Sequence, residues 1–319
     1  MANVYAASVG ILLASTFAAA TLALAADESE ITITTEGGAA KTLDRSFPLA
    51  PSGTIDVSNV SGSVTITGGS ADSVKLGGSL GAGSKLAIES HANRLEIRVE
   101  SENGNSWIGG KGPRNDTNLV LNVPHGISVK LDLVSADGKI QNIDGKSVEV
   151  DNVSGNVNVN ATAGSVEIDS VSGNVALQVP RAGVTDRVHL QTVSGNVNAT
   201  GADGRVKLET VSGTLTFDAP SVNELGAESV SGDIRAALAP KKGARVHVET
   251  MSGSLHLRLP ADLAARIHAE TFSGDLKTDY GKVVKAEFGP GSSLDVDGGE
   301  SGTRINAQSF SGNVELRKQ

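Results

Sequence analysis

The stretch VKLETVSGTLTF (residues 206–217) has near copies along most of the chain. Aligned on the glycine of Ser-Gly, the copies centre on Gly62, Gly155, Gly173, Gly195, Gly213, Gly232, Gly253, Gly274 and Gly312. Between Gly155 and Gly274 the steps are 18, 22, 18, 19, 21 and 21 residues. The final step of 38 reads as two units of 19. The first step, of 93, leaves room for degenerate units such as LVSADGKI (133–140), with Gly138 in the glycine's place. A period of this size, repeated this often, marks a repeat architecture and not an ordinary globular domain.

The columns of the alignment carry the fold. Seven residues before the glycine stand Val148, Val166, Val188, Val206, Leu225, Val246, Ile267 and Ile305. Two before it stand Val60, Val153, Val171, Val193, Val211, Val230, Met251, Phe272 and Phe310, and two after it Val64, Val157, Val175, Val197, Leu215, Ile234, Leu255, Leu276 and Val314. All are apolar, and all three columns are expected inside. Positions −7 and −5 share the period of two of a strand with one buried face, as do +2 and +4. The intervals of three from −5 to −2 and four from −2 to +2 break that period. They predict one corner near −4/−3 and another at Ser-Gly, where glycine accepts positive φ.

No unit can bury its apolar residues alone, but stacked units can. The expected fold is therefore all-β: a β-solenoid whose coils lie about 4.8 Å apart. Its expected form is a right-handed parallel β-helix, since parallel crossovers favour that hand. Antiparallel hairpins with Ser-Gly as the tight turn are the competing arrangement. They do not require one residue class per column over so many units. With 294 residues after residue 25 (319 − 25) and about twenty per coil, roughly fifteen coils and a rod on the order of 70 Å are expected.

Composition agrees with a thin core. Aromatic residues are 3% of the chain, there is no Cys, and there are 38 Gly. Missing Cys excludes disulfides, a thiolate zinc site and a lipid-modified N-terminal Cys. The net charge of −9 argues against nucleic acid as a partner, because phosphate backbones select basic surfaces.

Three regions are expected. Residues 1–25 read as a secretory signal peptide, with an apolar run from Val9 to Leu24 and cleavage between Ala25 and Ala26, although a basic start is missing. An uncleaved anchor is the rival, but the run is short for a span of about 20 residues. No later segment is apolar enough to span a membrane, so a periplasmic or secreted protein is expected. Residues 26–130 read as an irregular N-terminal part of the solenoid, including the Gly/Asn-rich stretch 102–116 with the only Trp. Residues 131–319 form the regular array.

The stretches GTIDVSNVSGSVTITGG (53–69) and NLVLNVPHGISVKLDLVSADGKI (118–140), with the iterated VEVDNVSGNVNV, VEIDSVSGNVAL and VHVETMSGSLHL, resemble the bacterial DUF4097 family over roughly residues 50–319. The resemblance implies an extracytoplasmic β-strand repeat domain of adhesin type without an established catalytic site. Some relatives are implicated in envelope-stress signalling.

Three further columns are polar. At −4 stand Asp151, Asp169, Gln191, Glu209, Glu228, Glu249, Glu270 and Gln308. They make either a solvated ridge that discourages sideways aggregation or a ladder for cations or a polymer. Calcium needs several oxygens converging on one point, which a straight column does not provide by itself. At −3 stand Asn152, Ser170, Thr192, Thr210, Ser229, Thr250, Thr271 and Ser309, read as a stacking ladder of side-chain hydrogen bonds. At −6 stand His189, His247 and His268. His247 and His268 are expected to be neighbours across two coils, as exposed strand residues or as two ligands of a metal that lacks a third.

No cofactor, metal or catalytic residue is assigned. Evenly spread acids do not converge as glycosidic chemistry requires, and no nucleophile elbow or phosphate loop is present. The expected function is non-enzymatic: an adhesin-like binding or scaffold protein whose partner is a protein or polysaccharide of the envelope or surface. An envelope-stress sensing partner is the alternative. A carbohydrate-active β-helix enzyme, lyase or hydrolase, is the alternative of a different class.

Overall fold

The computed structural model describes residues 29–35, 40–101, 116–180, 185–287, 289–299 and 301–319. The expected signal peptide and nearly all of the Gly/Asn-rich stretch with the only Trp lie outside these. The described residues form strands and no helix.

The repeat units stack as parallel rungs, each with two arms. The first arm runs from −8 to −1. It is supplied in turn by the first halves of β3 (Thr54–Gly69) and β8 (Ser128–Ile143), by β9 (Ser147–Ser154), β11 (Ser165–Ser172), β13 (Arg187–Ser194) and β15 (Arg205–Ser212), and by the second halves of β16 (Leu215–Ser231) and β17 (Ile234–Ser252). The second arm begins at +2. It is supplied by the later halves of β3 and β8, by β10 (Val157–Ala161), β12 (Val175–Gln178) and β14 (Val197–Thr200), by the first halves of β16 and β17, and by β18 (Leu255–Leu259). Like residues pair with like: Val148 with Val166, Val166 with Val188, Val157 with Val175. Val166, Val188 and Val206 are each buried in one continuous core.

The interior differs from the expectation in one row. Residues −7, −5, +2 and +4 are buried along the array, as in Val166, Ile168, Val175 and Leu177. The −2 row is not buried. Val153, Val171, Val193, Val211 and Val230 are 45–50% exposed, and Met251, Phe272 and Phe310 57–61%. The buried residue of that turn is the −3 polar one, such as Thr192 or Thr250 at 1%. The physical reason is that no corner forms near −4/−3. The first arm stays one strand from −8 to −1, so strict alternation turns −7, −5 and −3 inward and −2 outward. The chain bends once in this stretch, at Ser-Gly. In the degenerate unit, Ala136 stands in the corner opposite Gly62, and Gly138 sits two places on, opposite Val157.

The corner has little room. Gly173 has φ +125°, and a Cβ there would lie 1.9 Å from the Gly155 carbonyl oxygen of the adjacent rung. The −3 residues complete the bend: Thr250 Oγ1 donates to the Gly232 carbonyl (3.2 Å), Ser309 Oγ to that of Gly253 (3.0 Å), and Thr271 Oγ1 to that of Gly312 (2.8 Å). These hydroxyls tie corner to corner and do not form a ladder among themselves. Only Asn152 and Ser170 bond along the row, Nδ2 to Oγ at 3.0 Å. Just past the glycine runs an amide ladder. Asn174 donates from backbone N–H and Nδ2 to Asn156 Oδ1, and Asn196 donates likewise to Asn174 Oδ1 (3.2–3.3 Å).

The ends do not follow chain order. After β18 the chain builds β19 (Arg266–Ser273) and β20 (Leu276–Thr278), passes through β21 (Val284–Lys285) and β22 (Ser292–Asp297), then returns as β23 (Arg304–Ser311) and β24 (Val314–Lys318). The returning rung slots between the two before it. Ile305 pairs with Val246 on one side and Ile267 on the other, and Val314 with Leu255 and Leu276. β22 then covers the outer edge of β19 with antiparallel bonds.

The 38-residue step is therefore one antiparallel excursion and one interleaved rung, not two successive units. Asn306 stands between His247 and His268, which are not neighbours. The last long arm is covered instead of open. The start is built similarly. β3 lies between β8 and a pair of strands, β6 (Arg94–Ser101) and β7 (Thr117–Pro124). Antiparallel strands continue outward from these: β5 (Ser84–His91) and β1 (Ser29–Thr34) from β6, and β4 (Ser73–Leu80) and β2 (Lys41–Pro48) from β7. Among the described residues ten repeat rungs result, with the β6/β7 pair as an eleventh parallel layer, not fifteen, because both ends spend residues on antiparallel caps.

Candidate functional site: an apolar ridge beside an acidic row

Alternation along the first arm and the single bend at Ser-Gly place the −2 residues on an outer edge of the rod. In axial order the ridge reads Val60, Val134, Val153, Val171, Val193, Val211, Val230, Met251, Phe310, Phe272. Nine strand spacings of about 4.8 Å make it about 43 Å long. Its side chains enlarge toward the C-terminal cap. There the rings of Phe272 and Phe310 stack with centroids 4.9 Å apart and planes 6° apart. The interleaved rung places Phe310 between Met251 and Phe272.

Single exposed apolar residues are ordinary, but a contiguous row is not, and such patches mark contact surfaces. The bend itself rests on other groups: the close-packed glycines, the hydroxyls of Thr250, Thr271 and Ser309, and the amides of Asn156, Asn174 and Asn196.

The −4 row lies two residues from the ridge on the same face. Near the N-terminal cap the two rows border an open groove of about 1120 Å³. Asp132, Asp151, Asp169 and Gln191 line it beside Val134, Val153, Val171 and Val193, and Arg98, Val99 and Glu100 of β6 line its end. The register with β3 lasts only to Ser58, opposite Arg98.

Burial pushes the Asp132 carboxyl above the usual range. Lys130 pulls it back, while Asp56 and Asp151 push it further up. Burial also raises Asp169, against the pull of His189, and its Oδ1 is enclosed without a hydrogen-bond partner. Lys130 Nζ bridges Glu149 (2.6 Å) and Asp151 (3.6 Å). The groove can thus present apolar contact along one side and carboxylates that take up protons readily along the other.

Of the remaining −4 acids, Glu209, Glu249 and Glu270 pair along their own strand or across one rung, and Glu228 makes no ion pair among the described residues. Burial pushes the Glu209 carboxyl up, but hydrogen bonds from Lys207 and His189 (2.9 Å each) outweigh it together and hold the group below the usual range. His247 Nδ1 accepts from Asn306 Nδ2 (3.3 Å), and its Nε2 lies 3.3 Å from Glu249. His268 Nδ1 meets Asp295 of the cap at 2.7 Å, and this bond raises its pKa. Among the described residues no group of three or more His, Asp or Glu side chains is placed to hold a metal ion. No helix among them is long and apolar enough to cross a membrane.

Two features escaped the sequence reading. The outward direction of the −2 row was signalled by its distance from −7 and −5, an odd number of residues from each. The amide ladder was signalled by Asn or Asp after the glycine in most units.

The family model described as Toastrack DUF4097 matches residues 52–317. No curated protein matches the chain. Solved structures similar to it include a "putative cell adhesion protein" from Clostridium sporogenes (12% identity, 88% of this chain and 100% of that one, TM-score 0.28). They also include a "putative lipid binding protein" from Parabacteroides distasonis (12%, 90% and 99%, 0.44) and a "putative adhesin" from Bacteroides fragilis (11%, 88% and 98%, 0.35).

Proposed function

Since this chain belongs to the Toastrack DUF4097 family, we propose that it is an extracytoplasmic, adhesin-like binding protein whose contact surface is the apolar ridge. The observation that carries this reading is the exposure of the −2 row on nine of ten repeat rungs, with Val134 partly exposed on the tenth. A protein with no partner gains nothing from leaving Met251, Phe310 and Phe272 in water. The partner is a protein or polysaccharide of the envelope or cell surface. Residues 1–25 act as the export signal, and the coils of about twenty residues wind right-handed. Recognition needs no turnover, cofactor or metal.

The test uses the chain from Ala26, immobilised and exposed to purified envelope polysaccharides and surface proteins, beside a V171D/V193D variant. Both positions are half exposed, so the variant keeps the fold. Saturable binding to at least one component, weakened about tenfold or more in the variant, supports the reading. Equal binding by both proteins, or no binding, sinks it.

The groove favours a second reading, a carbohydrate-active enzyme, because Asp132 and Asp169 are pushed toward the protonated form and a further carboxylate, Asp151, lines the groove between them. Such a pairing suits acid and base roles at a glycosidic bond. Release of reducing ends from an acidic polysaccharide, abolished in D132N and D151N, selects this reading over simple binding. No release above the D132N background rejects it.

A further inference from the structure

The ridge is not the only row with a composition that the fold leaves unexplained. At −8, on the opposite margin of the same face, Arg245, Arg304 and Arg266 stand on three successive rungs. In the sequence their order is Arg245, Arg266, Arg304. Arg304 arrives between the other two only because the last rung is interleaved. All three are exposed. Arg266 has a weak partner, Asp297 of the cap at 3.7 Å. Arg245 and Arg304 make no ion pair among the described residues. Arg304 has a guanidinium in register on each side and no carboxylate opposite it.

Beside this row lies a hollow of about 560 Å³. The −6 residues His247, Asn306 and His268 line it, and Gly226 leaves one side open where its neighbours carry side chains. Most nearby acids are occupied; Glu224, which also lines the hollow, makes no ion pair among the described residues. Glu249 lies against His247, and Asp295 and Glu270 against His268. Glu224, in register with Arg245, lies one rung further from Arg304.

Three like charges at strand spacing, about 4.8 Å, are unfavourable unless an anion sits among them. Planar guanidinium forks match tetrahedral oxyanions closely. We propose that Arg245, Arg304 and Arg266 form a binding site for phosphoryl groups, centred on Arg304. The site is separate from the ridge and stands whether or not the ridge binds a partner.

The experiment follows side-chain Nε–H NMR signals of the arginines in the chain from Ala26. The titrants are inorganic phosphate and tripolyphosphate, with chloride at equal ionic strength as reference. Saturable shifts confined to the three arginines are expected, with binding about tenfold weaker in R304Q and in R245Q. Binding should be unchanged in R235Q, which removes a distant exposed arginine. Tighter binding of tripolyphosphate shows that the row reads a phosphate chain, and equal binding that it holds one phosphoryl group. Non-saturable shifts, shifts shared with Arg235 and Arg317, or unchanged binding in R304Q overturn the proposal.

Discussion

Replacing Gly173 by alanine tests the corner geometry. The added Cβ would stand 1.9 Å from the Gly155 carbonyl oxygen. Reaching even the 3.0 Å below which real Cβ contacts essentially vanish requires about 1.1 Å of separation (3.0 − 1.9) between two rungs. Val157 N–H donates to the Asn174 carbonyl across the same gap at 2.9 Å. An opening of that size stretches the bond to about 4.0 Å, beyond hydrogen-bond range. One buried backbone bond is then lost, about 1 kcal/mol net. Alanine at φ +125° adds about 1–3 kcal/mol of strain. Residual crowding brings the expected destabilisation to about 3–5 kcal/mol.

Gly69 is the matched control, because nothing lies within 4 Å of a Cβ built there. G69A should stay within about 0.5 kcal/mol of the parent. The assay is denaturant unfolding followed by far-ultraviolet circular dichroism, with G173A and G69A measured side by side. Loss of less than about 1 kcal/mol in G173A, or equal loss in both, refutes the packed corner.

Three other predictions bear on the rows and their charges. V166A, in the −7 row, should cost about 2 kcal/mol in the same unfolding assay, whereas V171A, in the ridge, should cost under about 0.5 kcal/mol; a costlier V171A would put the −2 row inside. Asp132 and Asp169 bind their protons more tightly when folded, so stability should fall as pH rises from about 3.8 through their raised folded values. D132N or D169N should flatten that decline in midpoints measured from pH 3 to 7, and an unflattened decline contradicts the burial assigned to them. His268 has the opposite charge type and a raised pKa. The stability from its bond to Asp295 is full below pH 6.5 and lost as pH climbs through the raised folded value; D295N should remove that part of the pH dependence, and an unchanged profile counts against the bond.

Much of the fold was legible because the period of two is a property of the backbone. Val166 and Ile168, and Val175 and Leu177, announce two buried arms. The error at −2 arose from treating residue class as burial. Val171 is apolar and outside, whereas Ser170 is polar and inside. At the bend the interior admits a small side chain, and in Thr250, Thr271 and Ser309 it bonds the neighbouring carbonyl. The order of the rungs could not be read at all. Ile305 and Ile267 are interchangeable in a row, so nothing in the pattern says which one packs against Val246. The phenylalanine stack and the arginine trio were hidden too, since reading the 38-residue step as two units puts an extra rung between Phe272 and Phe310 and between Arg266 and Arg304, whereas these rungs pair directly. The acidic row and the histidines were visible as columns, but their partners depend on which rung lies alongside.

The rung order can be tested directly, because the chain has no cysteine. Ser311 is in register with Ser252 on one side and Ser273 on the other, so both pairs lie at strand spacing of about 4.8 Å, within disulfide reach, while Ser252 and Ser273 are two spacings, about 9.6 Å, apart. Under mild oxidation, S252C/S311C and S311C/S273C should each form an intramolecular disulfide, and S252C/S273C should stay reduced. Efficient cross-linking of S252C/S273C, with S252C/S311C left reduced, would contradict the interleaved stack that sets Arg304 between Arg245 and Arg266 and Phe310 between Met251 and Phe272.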